Sequence, residues 1–178
     1  MITHALGGGT EKHLRDLADF IGDRARILVL RPYSAADWSN LFDRTLRLQS
    51  ADLAEPVDIR IDGENRLDHL VDLLTAFGVA RVHIHHLVFV PLDVEALVDR
   101  LGVPVDFTAH DYFSVCPQTN LFDANATFCG QPSRRACNRC IGLKPGHGAR
   151  DIDSWRHAMR WLFTCLLYTS PSPRDVRS

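Results

Sequence analysis

Three clusters of residues in this chain have types and spacings suited to chemistry. The first is Gly7-Gly8-Gly9-Thr10. Glycines lack a Cβ, so they let a phosphate or sugar approach backbone N–H groups at the start of a helix, where Thr10 and Glu11 would add polar contacts. The run matches neither G-x-G-x-x-G nor G-x-x-x-x-G-K-[ST], and a plain turn before a helix reads the same way. The second cluster is imidazole-rich: Val82-His-Ile-His-His-Leu87 and Phe107-Thr-Ala-His-Asp-Tyr112. Strand alternation puts His83 and His85 on one face and His86 on the other, where each can be a ligand-binding group or a satisfied core or rim imidazole. An all-histidine metal site there has no nearby carboxylate helper. His110 can hydrogen-bond a ligand hydroxyl, and Asp111 can orient an imidazole or simply cap a turn.

The third cluster is Cys116-x12-Cys129-x7-Cys137-x2-Cys140, set among Pro117, Gly130 and Pro132 in a turn-rich stretch read as a loop excursion. Cys137-Asn-Arg-Cys140 has the spacing of one zinc knuckle, and Cys116 and Cys129 would complete a closed tetrahedral structural site. Buried free thiols and disulfides are the other two readings. A thioredoxin-like redox role is disfavoured, because that motif belongs at the start of a helix directly after a strand.

Elements that would position these residues follow from periodicity. Leu14, Leu17, Ala18 and Ile21 predict a helix from Thr10 to about Gly22, and Ala25–Leu30 reads as a buried parallel strand. Leu46 and Leu48, then Val57, Ile59 and Ile61, alternate as two more exposed strands, a hairpin at the sheet edge. A helix through Leu67–Phe77, closed by Gly78, leads into a strand over Val79–His86. A second helix, opened by Asp93 and ended by Gly102, leads into a strand over Val103–Thr108. Trp155, Met159 and Leu162 mark a final core-facing helix opened by Asp153. The expected fold class is therefore α/β, a Rossmann-like, mostly parallel sheet flanked by helices, with the Cys-rich loop as an appendage. Only Met1 to Leu6 precede the glycine turn, so the first strand is expected to be very short or cut off.

The 178 residues suit one domain, and 46% hydrophobic with 24% charged residues excludes wholesale disorder. Twenty Lys+Arg against 22 Asp+Glu give a net charge of −2, which leaves no global basic field for nucleic acid. No apolar run is long enough to span a bilayer, and residues 1–9 lack the features of a signal peptide, so a cytoplasmic protein is expected.

With these residues in view, the chain resembles the N-terminal domain of family 4 glycosyltransferases, retaining enzymes of GT-B fold, especially bacterial members that build surface polysaccharides. The likeness rests on His4-Ala-Leu-Gly-Gly-Gly-Thr-Glu-Lys-His-Leu-Arg-Asp-Leu17, Val82–Leu87, and Pro104-Val-Asp-Phe-Thr-Ala-His-Asp-Tyr-Phe-Ser-Val-Cys-Pro117. It continues through Leu121-Phe-Asp, Phe128-Cys-Gly and Cys137-Asn-Arg-Cys-Ile141, while Pro32–Glu64 matches only in pattern.

The resemblance implies that residues 1–164 receive a polysaccharide or lipid-linked acceptor at the inner face of the membrane, with peripheral membrane association. A second Rossmann-like domain would bind the nucleotide-sugar donor. Gly8 and Gly9, with Thr10, would approach the donor phosphate or the acceptor; His110 would contact the donor sugar near its reacting carbon; His85, His86 and Asp111 would line the same cleft. It also implies that no cofactor is required for catalysis, so zinc at Cys116, Cys129, Cys137 and Cys140 would be structural. The donor half is not among these residues, so the chain is expected to be a fragment, inactive alone. Cys165–Ser178 resembles translated sequencing-adapter read-through and is expected to be non-native. The alternative is a stand-alone zinc-stabilised α/β module that binds carbohydrate or protein.

Overall fold

The computed structural model describes residues 1–33, 44–62, 66–130, 132–144 and 147–164; the tail expected to be non-native lies outside them. Helix α1 spans Gly9–Ile21 and is followed by a short 3-10 turn, Gly22–Arg24. Strands β1 (Val29–Pro32), β2 (Thr45–Gln49) and β3 (Val57–Arg60) come next, then helix α2 (Arg66–Ala76). Strand β4 (Val82–Ile84), helix α3 (Val94–Leu101) and strand β5 (Val105–Phe107) complete the α/β part. Helices α4 (Arg134–Leu143), α5 (Ile152–Met159) and α6 (Trp161–Thr164) follow.

β1, β2 and β3 form an antiparallel three-stranded sheet, and β4 and β5 a parallel pair. The N-terminal residues join the two. Ile2 makes parallel bridges to Leu30 and to Ile84. Ile2 N–H donates to the His83 carbonyl at 2.8 Å, Leu30 N–H to Met1 at 2.9 Å, and His85 N–H to Ile2 at 2.8 Å. The short first strand expected from the sequence is thus a few residues held between β1 and β4.

Several expectations need correction. The strand after α1 is not a parallel one embedded among parallel neighbours: it begins at Val29 and its long pairing, with β2, is antiparallel. Three of the five strands are therefore antiparallel, and the sheet is not mostly parallel among the described residues. The hairpin of β2 and β3 is as expected, but β2 is not exposed, since Leu46 and Leu48 are fully buried. Its inward face packs with Ile2, Leu30, Leu70, Ile84 and Leu97 in the main core. Burial of each such side chain contributes roughly 1.5–3 kcal/mol, which is what fixes the register of so short a sheet.

Local signals set the helix ends. The Asp93 carboxylate accepts from Ala96 N–H at 3.0 Å and opens α3, and Gly102 at φ 61° closes it. Helix α5 is opened by Asp151, which accepts from Ser154 N–H at 2.8 Å, and not by Asp153. The Cys-rich stretch is not wholly loop. Ser133 caps α4, and that helix carries Cys137 and Cys140.

Candidate functional site

The site forms where three elements end together: the first turns of α1, the carboxyl end of β4 and the segment after β5. Parallel pairing aligns β4 with β5 as His83 with Asp106 and Ile84 with Phe107. Beyond the strand ends the pairing passes to side chains, and three contacts share one offset of 25 residues. His83 Nε2 lies 2.8 Å from Thr108 Oγ1, His85 Nδ1 3.1 Å from His110 Nε2, and His86 Nε2 3.0 Å from Asp111 Oδ2.

The His86 contact is a fixed clamp. Val88 N–H donates to His86 Nδ1 at 3.1 Å, so the proton sits on Nε2 and is donated to Asp111. Phe113 N–H donates to the other Asp111 oxygen at 2.8 Å, and Trp155 Nε1–H donates to the Phe113 carbonyl at 2.8 Å. The rings of His4 and Phe113 pack beside His86, at 4.8 and 4.7 Å between centroids. Burial alone would raise the Asp111 pKa, but the hydrogen bonds from His86 and Phe113 outweigh it and hold the carboxyl below its ordinary value. Both His86 nitrogens are thus engaged, and this pair ties the segment after β5 to β4 and to α5.

His85 and His110 face the other way, toward α1. His85 is 1% exposed, and its Nε2 has no hydrogen-bond partner among the described residues. Burial, reinforced by His83, His110 and His13, pushes its pKa down to about 2, so it is a neutral imidazole. His110 is also lowered, by burial and then by His13 and His86. His13, one turn into α1, brings its ring to 5.0 Å from His110 and 5.5 Å from His85. Ligand nitrogens of His13, His85 and His110 all lie within 4.8 Å of one another.

Gly8 is the residue before α1, with φ 77°, and Gly7 has φ 73°, both in the left-handed region that glycine alone adopts freely. A Cβ placed on Gly8 or Gly9 would meet nothing within 4 Å, so space lies open over this turn. Thr10, by contrast, is buried. A cavity bordered by His85, His110 and Asp111 is only about 10 Å³, room for one water-sized group. Any larger ligand must meet His110 from outside.

Cys116, Cys129, Cys137 and Cys140 line a single 220 Å³ cavity with Phe122, Pro132 and Ile141. All four are free and half-buried. Burial first, then the neighbouring thiols, raise the Cys116 pKa, and burial also raises Cys137. Their sulfurs do not form so tight a group as the three imidazoles among the described residues.

The structure therefore gathers His85, His86, His110 and Asp111 at one mouth, with Gly8 and Gly9 at the opening of α1. Sequence reasoning missed His13 as a member of the site, as well as the anchoring role of Trp155. A signal for the first existed, since His13 stands one helical turn after Gly9 and so shares its face of α1. No family model, curated protein or solved structure matches this chain.

Proposed function

We propose that this chain is the acceptor-side, Rossmann-like part of a retaining glycosyltransferase. It would act with a nucleotide-sugar donor on a polysaccharide or lipid-linked acceptor, at the cytoplasmic face of a membrane. The observation that carries the reading is the meeting of an open glycine turn with neutral imidazoles at one mouth. His110 Nε2 is taken by His85, while its Nδ1 makes no hydrogen bond to a described residue. A neutral imidazole with one free nitrogen suits a sugar hydroxyl, which both donates and accepts, better than a cation would. The N–H groups of the Gly8–Gly9 turn suit an anionic leaving phosphate, whose developing charge a helix N-terminus stabilises.

In this reading His110 is the residue that contacts the donor sugar, and His85 positions it by holding its Nε2. His86 and Asp111 act one step further back, as the clamp that fixes the backbone around His110. Ile2, parallel to both β1 and β4, supports a Rossmann-like centre despite the antiparallel hairpin. No helix among the described residues is long and apolar enough to cross a membrane, so a membrane-bound acceptor would be met peripherally.

The direct test is a saturation-transfer NMR screen of the chain against nucleotide sugars and free hexoses. Weak binding that His110→Ala abolishes is expected; binding that survives His110→Ala, or none at millimolar ligand, would overturn the reading. Turnover needs a donor-binding domain in this scheme, so the chain alone is expected to transfer no sugar.

Structural zinc at the four cysteines belongs to the same proposal. Four thiols around one cavity supply the ligand set of a closed site, and among the described residues between β5 and α4 there is no helix and only an isolated bridge, Phe122 with Phe128, to hold the segment otherwise. Elemental analysis of purified protein should find one equivalent of zinc more in the wild type than in Cys137→Ser/Cys140→Ser; a folded wild type with no such excess would contradict it.

A further inference from the structure

We propose that His13, His85 and His110 form a binding site for a late first-row divalent cation, of which Zn²⁺ is the natural occupant by ligand type. The inference does not depend on the transferase reading. Three imidazoles from three different elements bring ligand nitrogens within 4.8 Å of one another, with His85 and His110 already at 3.1 Å. Two nitrogens at that separation can share one ion at the roughly 2.0–2.1 Å Zn–N distance, at an angle somewhat tighter than tetrahedral. His13 need close by only on the order of 1–1.5 Å to reach the same ion. It sits on the outer helix α1, where a change of side-chain rotamer disturbs no core packing.

His85 offers one nitrogen to the ion, and Nδ1, the atom 3.1 Å from His110 Nε2, is the one placed for it: ligation there replaces that contact by two bonds to a common ion. Its Nε2, sealed from solvent and without a partner among the described residues, then carries the ring proton. Three imidazoles match the donor set of zinc sites that keep a fourth position for an exchangeable ligand. The small cavity beside His85 and His110 has room for one water-sized group.

Co²⁺ titration of the full chain, read in the visible spectrum, tests this. Cys137→Ser/Cys140→Ser is run alongside to remove thiolate ligation, which announces itself by sulfur-to-metal charge transfer. In the cysteine variant one equivalent of Co²⁺ should give tetrahedral d–d bands without charge transfer, and Zn²⁺ should displace it; in the wild type the same bands should stand beside any thiolate charge transfer. His13→Ala, an exposed helix position that leaves the core intact, should weaken affinity by about tenfold or more. His110→Ala should do at least as much. Absence of d–d bands at millimolar Co²⁺ would overturn the proposal, as would affinity unchanged in His13→Ala and His110→Ala, or bands that vanish in the cysteine variant.

Discussion

His86 and Asp111 were expected to touch substrate, yet both His86 nitrogens and both Asp111 oxygens are engaged within the chain. Asp111→Asn should therefore lower stability by about 1–2 kcal/mol in urea unfolding, a modest value because the carboxylate is partly exposed. It should also release the His86 tautomer, seen as a change in its imidazole ¹⁵N shifts; an unchanged tautomer with unchanged stability would remove the clamp from the account. The histidines also set a pH dependence. His4, His83, His85, His110 and His147 are all lowered from 6.5, chiefly by burial, and His85 lies at about 2. The Met1 amine, buried and donating to the Leu28 carbonyl at 2.6 Å, is lowered from 8.0 to about 6. Each binds its proton more readily when unfolded, so stability rises with pH wherever the unfolded chain holds more protons. The Tm should fall on acidification, starting below pH 8 through Met1 and steepening below 6.5 through the histidines. His85→Leu should flatten the limb between pH 6.5 and 4; a Tm independent of pH from 8 to 5 would contradict the burial argument.

At the scale of elements, α3 shows what is legible in a sequence and why. Its ends depend on Asp93 and Gly102 alone, local chemistry that spacing reveals. Asp93→Ala should cost about 1 kcal/mol through the lost cap, and Gly102→Ala roughly 1–2 kcal/mol through its positive φ, both measurable by urea unfolding. The direction of β1 was not legible, because a short apolar run is the same whether its partner runs parallel or antiparallel. Only the closure of the β2–β3 hairpin onto Leu30 decides it. The histidine pairing was half legible. The three imidazoles of β4 and the His110-Asp111 pair were visible as residues, but the offset that joins His85 to His110 depends on how α3 and its loops return the chain to β5. His13 was missed for the same kind of reason, as its reach across to His85 depends on how α1 packs over the sheet. The helix under Cys137 and Cys140 was masked by the turn-formers around it, although Ser133 stands at its start as a cap residue.

For the whole molecule, the fold brings α1, β4 and the segment after β5 to one end, and the two halves of the sheet meet at Ile2. Their common mouth is open over Gly8 and Gly9 and floored by neutral imidazoles. In the proposed function His110 meets a sugar there. That contact is tested most directly by following the imidazole ¹H–¹⁵N resonances of the labelled chain during titration with nucleotide sugars and with the matching free nucleotides. Shifts are expected at His110, with smaller ones at His13 and the Gly8 and Gly9 amides, from the sugar-bearing ligands. Shifts confined to other surfaces, or none at His110 with any nucleotide sugar, would contradict it.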